Sequence, residues 1–334
     1  MVVTARGLTG IEFADPVLEE SVRQGLDRVE ATLRQAVESG DAFVTETSRH
    51  LVEAGGKRFR PLLALLAAHF GDPNAPGVVP AAVVVELTHL ATLYHDDVMD
   101  EADVRRGAPS ANSRYTNTVA ILTGDYLFAR ASDIVSDLGP EAVKIQSRTF
   151  ARLVTGQIRE TAGPIGDADP IEHYLHVVAE KTGSLIATSG QFGAMFAGAS
   201  PREVEVLTRY GEVIGVAFQL SDDLLDIASG SLQSGKTPGT DLREGVPTLP
   251  VLHALASDDP GEGRLRELVS RALVDDDEVA EALELLRKSP AMATARETLE
   301  KYAAEARTLL AELPEVPARA ALESLADFVV ARTG

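Results

Sequence analysis

The sequence predicts an all-α protein, and three observations support this. Apolar residues recur at the three- to four-residue spacing of amphipathic helices over most of the chain, and few stretches alternate with the period typical of strands. Glycine and proline separate these helical segments. No Ser-, Gly- or Pro-rich linker divides the 334 residues, and 45% of them are hydrophobic, enough for a packed core. We therefore expect a single helical domain over residues 1–334.

The predicted helices follow one another along the chain. Val17 to Val37 has apolar residues close to i, i+4, i+7 spacing, and the Gly55-Gly56 pair separates two shorter helices. The β-branched run from Val83 to Val85 lies inside a helical pattern and is interpreted as buried helix. The other predicted helices cover 45–53, 61–69, 80–103, 120–138, 141–161, 170–197, 201–227 and 246–256, with three or more in the C-terminal third and a loop over 230–245.

Composition excludes several classes of protein. The chain has no cysteine, which rules out disulfides, zinc–thiolate sites, iron–sulfur clusters and cysteine nucleophiles and fits a cytoplasmic location. Its formal net charge of −20 disfavours nucleic-acid binding. Residues 1–13 lack the basic and apolar segments of a signal peptide, and no uninterrupted apolar run is long enough to predict a transmembrane segment.

Two aspartate clusters of the form D-D-x-x-D are the most informative motifs. Each ends an apolar helical segment, and residues four apart lie on one face of a helix. Like charges so close together, among apolar neighbours, need a compensating cation. Oxygen ligands indicate a hard ion such as Mg²⁺, which binds through one or two carboxylates together with substrate phosphates. The predicted metal ligands are Asp96, Asp97, Asp100, Asp222, Asp223 and Asp226.

A solvated acidic helix face is the alternative interpretation of such clusters. The chain contains a comparison case, the run from Asp275 to Glu278, which lies in a polar stretch at a predicted helix start. That run is typical of a helix cap. The two D-D-x-x-D clusters differ because each lies in an apolar helix and is followed by a basic segment.

Basic residues accompany these clusters in an otherwise acidic chain. Glycines let the backbone approach a ligand, lysine supplies a point charge, and arginine supplies a fork that suits diphosphate oxygens. Each cation also has a structural interpretation: Lys181 as a surface lysine, and Arg105 and Arg106 as partners of nearby acids. Together they indicate a cavity that holds two anionic groups. The basic positions are Lys57, Arg58, Arg60, Arg105, Arg106, Lys181 and Lys236.

From Gly55 to Pro250 the chain resembles the trans-prenyl diphosphate synthase family. Three segments carry the resemblance: ELTHLATLYHDDVMDEADVRRG from Glu86, FQLSDDLLD from Phe218, and GKTPGTDLREG from Gly235. The resemblance implies a single-domain bundle of antiparallel helices around a deep central cavity. It also implies a homodimeric prenyltransferase that uses Mg²⁺, isopentenyl diphosphate and an allylic prenyl diphosphate.

The resemblance assigns roles residue by residue. Asp96, Asp100 and Asp222 match the principal metal ligands. The isopentenyl diphosphate site corresponds to Lys57, Arg60, His89 and Arg106, and the allylic diphosphate site to Arg105, Lys181, Gln219 and Lys236, with Thr182 beside the nascent carbocation. The family often has a second lysine just after the loop glycine, where this chain has Val246. That difference removes one possible contact to the allylic diphosphate.

Product length is predicted from the residues one turn before the first cluster. In the family, bulky side chains there stop the growing tail, whereas this chain has Ala91 and Thr92. We therefore expect an all-trans product longer than C20, such as a quinone side-chain precursor, with a C20 product as the alternative. In the alternative interpretation, deeper residues such as Leu87, Phe128 or Phe150 stop the growing tail.

Three other functions remain open. A terpene cyclase normally carries a different second metal motif. An inactive partner subunit of a heteromeric synthase need not keep both clusters and Lys236. An acidic scaffold protein does not need the basic segments.

Overall fold

The computed structural model describes residues 13–228 and 238–332, and within these ranges the chain is almost entirely α-helical. The predicted all-α class is confirmed. The helices are α1 Pro16–Ala36, α2 Ala42–Glu53, α3 Phe59–Ala68, α4 Val78–Met99, α5 Ala111–Arg114, α6 Asn117–Asp137, α7 Pro140–Ala162, α8 Pro170–Val178, α9 Ser184–Phe196, α10 Pro201–Ala228, α11 Thr240–Glu244, α12 Leu249–Leu255, α13 Gly263–Val269, α14 Asp276–Lys288, α15 Pro290–Leu310 and α16 Pro317–Ala331. A short hairpin, β1 Val104–Arg105 and β2 Ala108–Pro109, lies between α4 and α5.

Aspartate side chains begin several of these helices. Asp15, Asp41 and Asp169 each accept hydrogen bonds from two backbone amides of the first turn of α1, α2 and α8. Asp275 does the same for α14, accepting from Asp277 N and Glu278 N. These amides have no partner within the helix, so the carboxylates satisfy them and complement the helix dipole. The acidic run at 275–278 is therefore a cap, as the sequence predicts.

The helix predicted over 80–103 is too long at its C-terminal end. α4 stops at Met99, and Asp100 forms its C-cap. The following backbone turns left-handed at Glu101, with φ of 50°, and the chain then forms the β1–β2 hairpin. A second left-handed residue, Arg106 at φ 55°, stands in the hairpin turn before Gly107. The local turn geometry overrides the helical pattern, and it brings the Arg105-Arg106 pair back toward α4.

Two further differences affect functional segments. The helix predicted over 170–197 is continuous, but it contains a π-helical turn at Ala179–Gly183, between α8 and α9. The loop predicted over 230–245 is wrong for residues 240–244, which form α11 between two left-handed glycines, Gly239 and Gly245. Residues 229–237 of that loop lie outside the described residues.

The chain divides into two compact units. Unit 1 comprises the chain up to Arg152, Ser184–Glu212 and Leu309–Ser324, and its core includes Leu63 and Leu87, both with no exposed area. Glycines allow very close helix packing in this unit. A Cβ on Gly193 of α9 would lie 2.0 Å from the carbonyl oxygen of Ala64 in α3, so no larger residue fits without a shift.

Unit 2 comprises Leu153–Gly183, Val213–Thr308 and the chain from Leu325 onward. Its core includes Leu220 and Leu224 of α10, each 1% exposed, and Val329 of α16, which is completely buried. The first aspartate cluster belongs to unit 1 and the second to unit 2.

One helix of the described residues, α4, is long and apolar enough to cross a membrane by length and composition alone. Two thirds (67%) of its most apolar window is buried by the surrounding protein. Burial of this kind is what the core helix of a folded domain shows.

Candidate active site

The glycine pair between α2 and α3 supports an arginine from the hairpin. Gly55 and Gly56 have φ of 84° and 137°, a region that favours glycine. The guanidinium of Arg106 donates to the carbonyl oxygens of Gly55 and of Leu51, and a Cβ on Gly56 would lie 2.7 Å from its central carbon. The glycines therefore give Arg106 space against the backbone.

Two adjacent cations in this segment have opposite surroundings. Arg58 has a left-handed backbone, and its side chain is 4% exposed. It donates to Glu30 and, at 3.0 Å, to Glu86, so its charge is paired inside unit 1. Lys57 is exposed. Arg58 is thus a structural residue, and Lys57 remains accessible to a ligand.

Arg60 and Arg106 concentrate positive charge around His89. Burial lowers the pKa of Arg60 to about 10, and Arg106 acts in the same direction, while Glu86 and Asp96 oppose it. Burial, with Arg60 and Arg106, also holds the pKa of His89 well below its usual range. The Nε of Arg60 is buried and makes no hydrogen bond to any described residue. The unpaired Nε of Arg60 and the neighbouring Arg106 suit an anionic ligand such as a diphosphate.

The three aspartates of the first cluster occupy different surroundings. Asp97 is completely buried, and its Oδ1 accepts a hydrogen bond of 2.5 Å from Arg105 Nε. Its Oδ2 is buried without a hydrogen bond to any described residue. Asp100 is 43% exposed and lies 3.7 Å from Arg105 Nη2, and Asp96 is half-buried. Asp97 therefore fixes Arg105, while Asp96 and Asp100 remain accessible to a metal ion.

In unit 2 the π-helical turn carries Lys181 and Thr182. The Nζ of Lys181 donates to Glu160 of α7. A Cβ on Gly156 of α7 would lie 2.7 Å from the backbone nitrogen of Lys181, so α7 and the turn are in direct backbone contact. π-helical turns are rare and often occur at functional sites, since they present side chains that a regular helix would place elsewhere.

A hydrogen-bonded chain connects the π-helical turn with the second cluster. Thr182 Oγ1 donates to Gln219 Oε1 at 3.3 Å, and Gln219 Nε2 donates to Asp223 Oδ1 at 2.8 Å. The hydroxyl of Tyr174 donates to the other oxygen of Asp223. Burial raises the pKa of Asp223 to about 6, although these two donors favour its ionised form. Asp223 therefore acts as an internal acceptor that orients Gln219.

The other two aspartates of this cluster are less buried. Asp226 accepts from the backbone amides of Thr240 and Asp241, both at 3.3 Å, and so caps α11. Asp222 is 44% exposed, and its Oδ1 lies 2.8 Å from Nη1 of Arg332. The carboxylate of Asp222 is consequently accessible to a ligand, unlike that of Asp223.

Each unit contributes carboxylates that suit a divalent ion. Among the described residues, no group of three or more histidine or acidic side chains is close enough to hold a metal by itself. The accessible carboxylates, Asp96 and Asp100 in unit 1 and Asp222 in unit 2, offer hard oxygen ligands. This is the donor set that Mg²⁺ uses when substrate phosphates and water complete its coordination.

Sequence reasoning missed two residues. Tyr174 precedes Lys181 by seven positions, which is two helical turns, and that spacing was the available signal. Arg332 has no comparable signal, because it is separated from the second cluster by more than 100 residues. Of the predicted site residues, Lys236 lies outside the described residues.

Comparison with known proteins gives a consistent result. The family model described as polyprenyl synthetase matches residues 41–286. The chain is 54% identical over 328 residues to nonaprenyl diphosphate synthase of Mycobacterium tuberculosis, covering 98% of each. It is also similar to a structure of geranylgeranyl pyrophosphate synthase from Corynebacterium glutamicum complexed with calcium and isoprenyl diphosphate. That match has a TM-score of 0.87 and 48% identity, over 97% of this chain and 100% of the other.

A decaprenyl diphosphate synthase from Rhodobacter capsulatus has the same fold, with a TM-score of 0.86 and 36% identity over 95% of this chain and 99% of the other. The helical fold and the similarity to these proteins together define the class of this protein, which is a prenyltransferase of isoprenoid biosynthesis. The chain belongs to the polyprenyl synthetase family. Enzymes of this family act on isopentenyl and allylic diphosphates with a divalent metal ion.

Proposed function

We propose that this chain is a Mg²⁺-dependent synthase that extends an allylic prenyl diphosphate with isopentenyl diphosphate to an all-trans product longer than C20. The observation that carries the reaction is the arginine pair Arg60 and Arg106, with the neutral ring of His89, beside Asp96. The two arginines favour an anion, and the adjacent carboxylate is an oxygen ligand that suits a metal ion. A diphosphate bound together with Mg²⁺ satisfies both.

The basic residues bind and orient the two substrates. Lys57, Arg60 and Arg106 hold the diphosphate of isopentenyl diphosphate, with His89 as a neutral hydrogen-bonding group. Arg105, Lys181 and Lys236 hold the allylic diphosphate. The Nζ of Lys181 pairs with Glu160, and we propose that it also binds a phosphate of the allylic substrate. Fixing both substrates in one geometry removes much of the entropic barrier to bond formation.

The reaction breaks the bond between the allylic carbon and its diphosphate oxygen. Mg²⁺ held by the aspartates would supply positive charge that compensates the charge developing on the departing diphosphate. We assign the stabilisation of the allylic cation to the oxygens of Thr182 and of Gln219, the residue that Asp223 orients. The double bond of isopentenyl diphosphate attacks this cation to form the new carbon–carbon bond, and the released diphosphate accepts the proton lost in the last step.

Product length follows from the small residues before the first cluster. Ala91 is completely buried, whereas Thr92 is half-buried, so position 92 has more room for a larger side chain. Two relatives named for nonaprenyl and decaprenyl products support a long product. The similar geranylgeranyl pyrophosphate synthase makes a C20 product the second candidate.

Chromatography of the products tests this proposal. Purified protein incubated with Mg²⁺, labelled isopentenyl diphosphate and farnesyl diphosphate should release products longer than C20. A profile that stops at C20 would establish the second candidate, and one that stops at C15 would contradict both. Thr92→Phe should shorten the products. Ala91→Phe should instead destabilise the protein, by about 1–3 kcal/mol, since it overpacks a closed position.

Several properties of the whole protein belong to the same proposal. We expect a homodimer, a single catalytic domain, a cytoplasmic location and no transmembrane segment. Light scattering during size-exclusion chromatography should give twice the chain mass of 35.5 kDa. A monomer, or recovery of the protein in the membrane fraction of cells, would contradict these expectations.

A further inference from the structure

Arg332, at the end of α16, packs against the second aspartate cluster in unit 2. Its Nε donates to Ser221 Oγ at 2.7 Å and its Nη2 donates to the carbonyl oxygen of Phe218 at 2.8 Å. The guanidinium carbon lies 4.3 Å from the centre of the Phe218 ring. Nη1 lies 2.8 Å from Asp222 Oδ1, and the side chain is only 8% exposed.

These contacts fix the guanidinium independently of Asp222. Ser221 also donates to the carbonyl oxygen of Val329, which adds a direct hydrogen bond between α10 and α16 close to Arg332. A backbone carbonyl, a hydroxyl and an aromatic face hold the cation in place. Arg332 therefore keeps its position beside Asp222 when a ligand approaches, unlike a surface lysine that can swing away.

The three aspartates of the cluster are compensated in different ways. Asp223 receives hydrogen bonds from Tyr174 and Gln219. Asp226 receives two backbone amides. Asp222 pairs with the full positive charge of Arg332. A divalent ion that binds the accessible part of Asp222 is thus repelled by a permanent cation on the other side of the same carboxylate.

A diphosphate removes this obstacle. It carries several negative charges and binds the metal ion at the same time, so the repulsion from Arg332 is offset and the arginine then attracts the complex. In a water-like dielectric, one charge about 6 Å from a divalent ion changes its affinity about tenfold.

We propose that Arg332 is a positioning residue that suppresses binding of Mg²⁺ to Asp222 in the absence of diphosphate and so couples metal binding to substrate binding. This inference rests on the proposed function, because it assumes that Asp222 is a metal ligand. The consequence is that free Mg²⁺ does not occupy the second cluster before the allylic diphosphate arrives.

The test measures metal binding without turnover. Mn²⁺, as a paramagnetic substitute for Mg²⁺, is titrated into the full-length protein with and without inorganic pyrophosphate, at matched free-metal concentrations. Arg332→Gln should bind the metal about tenfold more tightly than the unaltered protein when pyrophosphate is absent. The gain in metal affinity on adding pyrophosphate should become correspondingly smaller. Asp222→Asn should lose this binding, which identifies the site being measured.

Two further variants separate charge from structure. Arg332→Lys keeps the charge but loses the fork, and it should retain the weak metal binding of the unaltered protein. Arg307→Gln is the matched control: Arg307 of α15 pairs with Asp327 of α16 at 2.6 Å, so this change removes a cation that contacts α16 without touching the cluster. It should leave the metal affinity unchanged.

Unchanged or weaker metal binding in Arg332→Gln would overturn the inference, as would tight binding in Arg332→Lys or Arg307→Gln. The proposed function has a separate criterion. If the unaltered protein extends farnesyl diphosphate and Arg332→Gln shows no gain in metal affinity, only the role of Arg332 is wrong. If the unaltered protein forms no prenyl product, the proposed function itself fails.

Discussion

Charged residues that are adjacent in the sequence have very different roles in this protein. Lys57 and Arg58 follow the same glycine pair, yet one is exposed and the other is paired with Glu30 and Glu86 inside unit 1. The sequence predicts that the segment is basic, but not which side chain turns inward. That choice depends on the left-handed backbone at Arg58, which places its side chain against α1 and α4.

This difference predicts opposite effects for two alanine substitutions. Arg58→Ala leaves Glu30 and the buried Glu86 without their partner and should lower the free energy of unfolding by about 3–5 kcal/mol. Lys57→Ala should change it by less than about 0.5 kcal/mol while weakening the use of isopentenyl diphosphate. Urea unfolding and the KM for that substrate measure the two effects. Equal losses of stability in the two variants would contradict the assignment.

His89 gives a prediction about pH. Its folded-state pKa is lowered, first by burial and then by Arg60 and Arg106, so the folded protein prefers the neutral ring. The stabilisation is complete above the unfolded pKa of about 6.5 and is lost as the pH falls below it. At about pH 5.5 the loss from this group approaches 1.4 kcal/mol at most, since the unfolded chain gains the proton.

The measurement compares urea unfolding of the unaltered protein and of His89→Gln at pH 7.5 and 5.5. The variant should lose less stability over this interval, because the other six histidines are present in both proteins. If both proteins lose the same amount, His89 does not have the depressed pKa that its surroundings indicate.

At the scale of elements, the sequence predicts the helices better than their interruptions. The apolar periodicity of residues 170–197 contains no sign of the π-helical turn at Ala179–Gly183. Similarly, the pattern over 80–103 continues past the point where Glu101 turns left-handed and α4 ends. Both interruptions carry predicted site residues, Lys181 and Thr182 in the first and Asp100 in the second. The predicted site residues of these two segments therefore lie where the regular helical pattern is interrupted.

Gly156 tests the importance of the π-helical turn. A methyl group at this position would lie 2.7 Å from the backbone nitrogen of Lys181, so Gly156→Ala must displace the turn that carries Lys181 and Thr182. We expect kcat to fall about ten- to a hundredfold, because small shifts of catalytic groups are costly. The free energy of unfolding should fall by about 1–3 kcal/mol.

Steady-state kinetics and urea unfolding provide the two readouts. The control is Gly263→Ala in α13 of the same unit, where an added methyl group would meet nothing within 4 Å. It should keep full activity. Full activity in Gly156→Ala would mean that the turn tolerates displacement.

For the molecule as a whole, the sequence was sufficient to predict the helical class and the family, because the two D-D-x-x-D motifs and the basic segments are local patterns. The sequence was insufficient to show which aspartates are buried and which are accessible to a metal ion. Asp96 and Asp97 are adjacent, but only the structure shows that Asp97 is buried against Arg105. The contact of Arg332 with Asp222 depends on the packing of α16 on α10, which no local pattern encodes.

Net charge leads to a last prediction. The formal charge of −20 makes the folded chain repel itself, and salt screens this repulsion because the Debye length falls from about 30 Å to about 10 Å between about 10 mM and 100 mM. Salt also weakens surface ion pairs, but each contributes little. We therefore expect sodium chloride to raise the Tm at pH 7.5 by about 2–5 °C over this range.

The measurement of the Tm includes a chelator, which excludes specific metal binding. The increase should shrink as the pH approaches the isoelectric point of about 4.7, where the net charge vanishes. A Tm that falls with salt at pH 7.5 would instead show that attractive ion pairs outweigh the excess of negative charge.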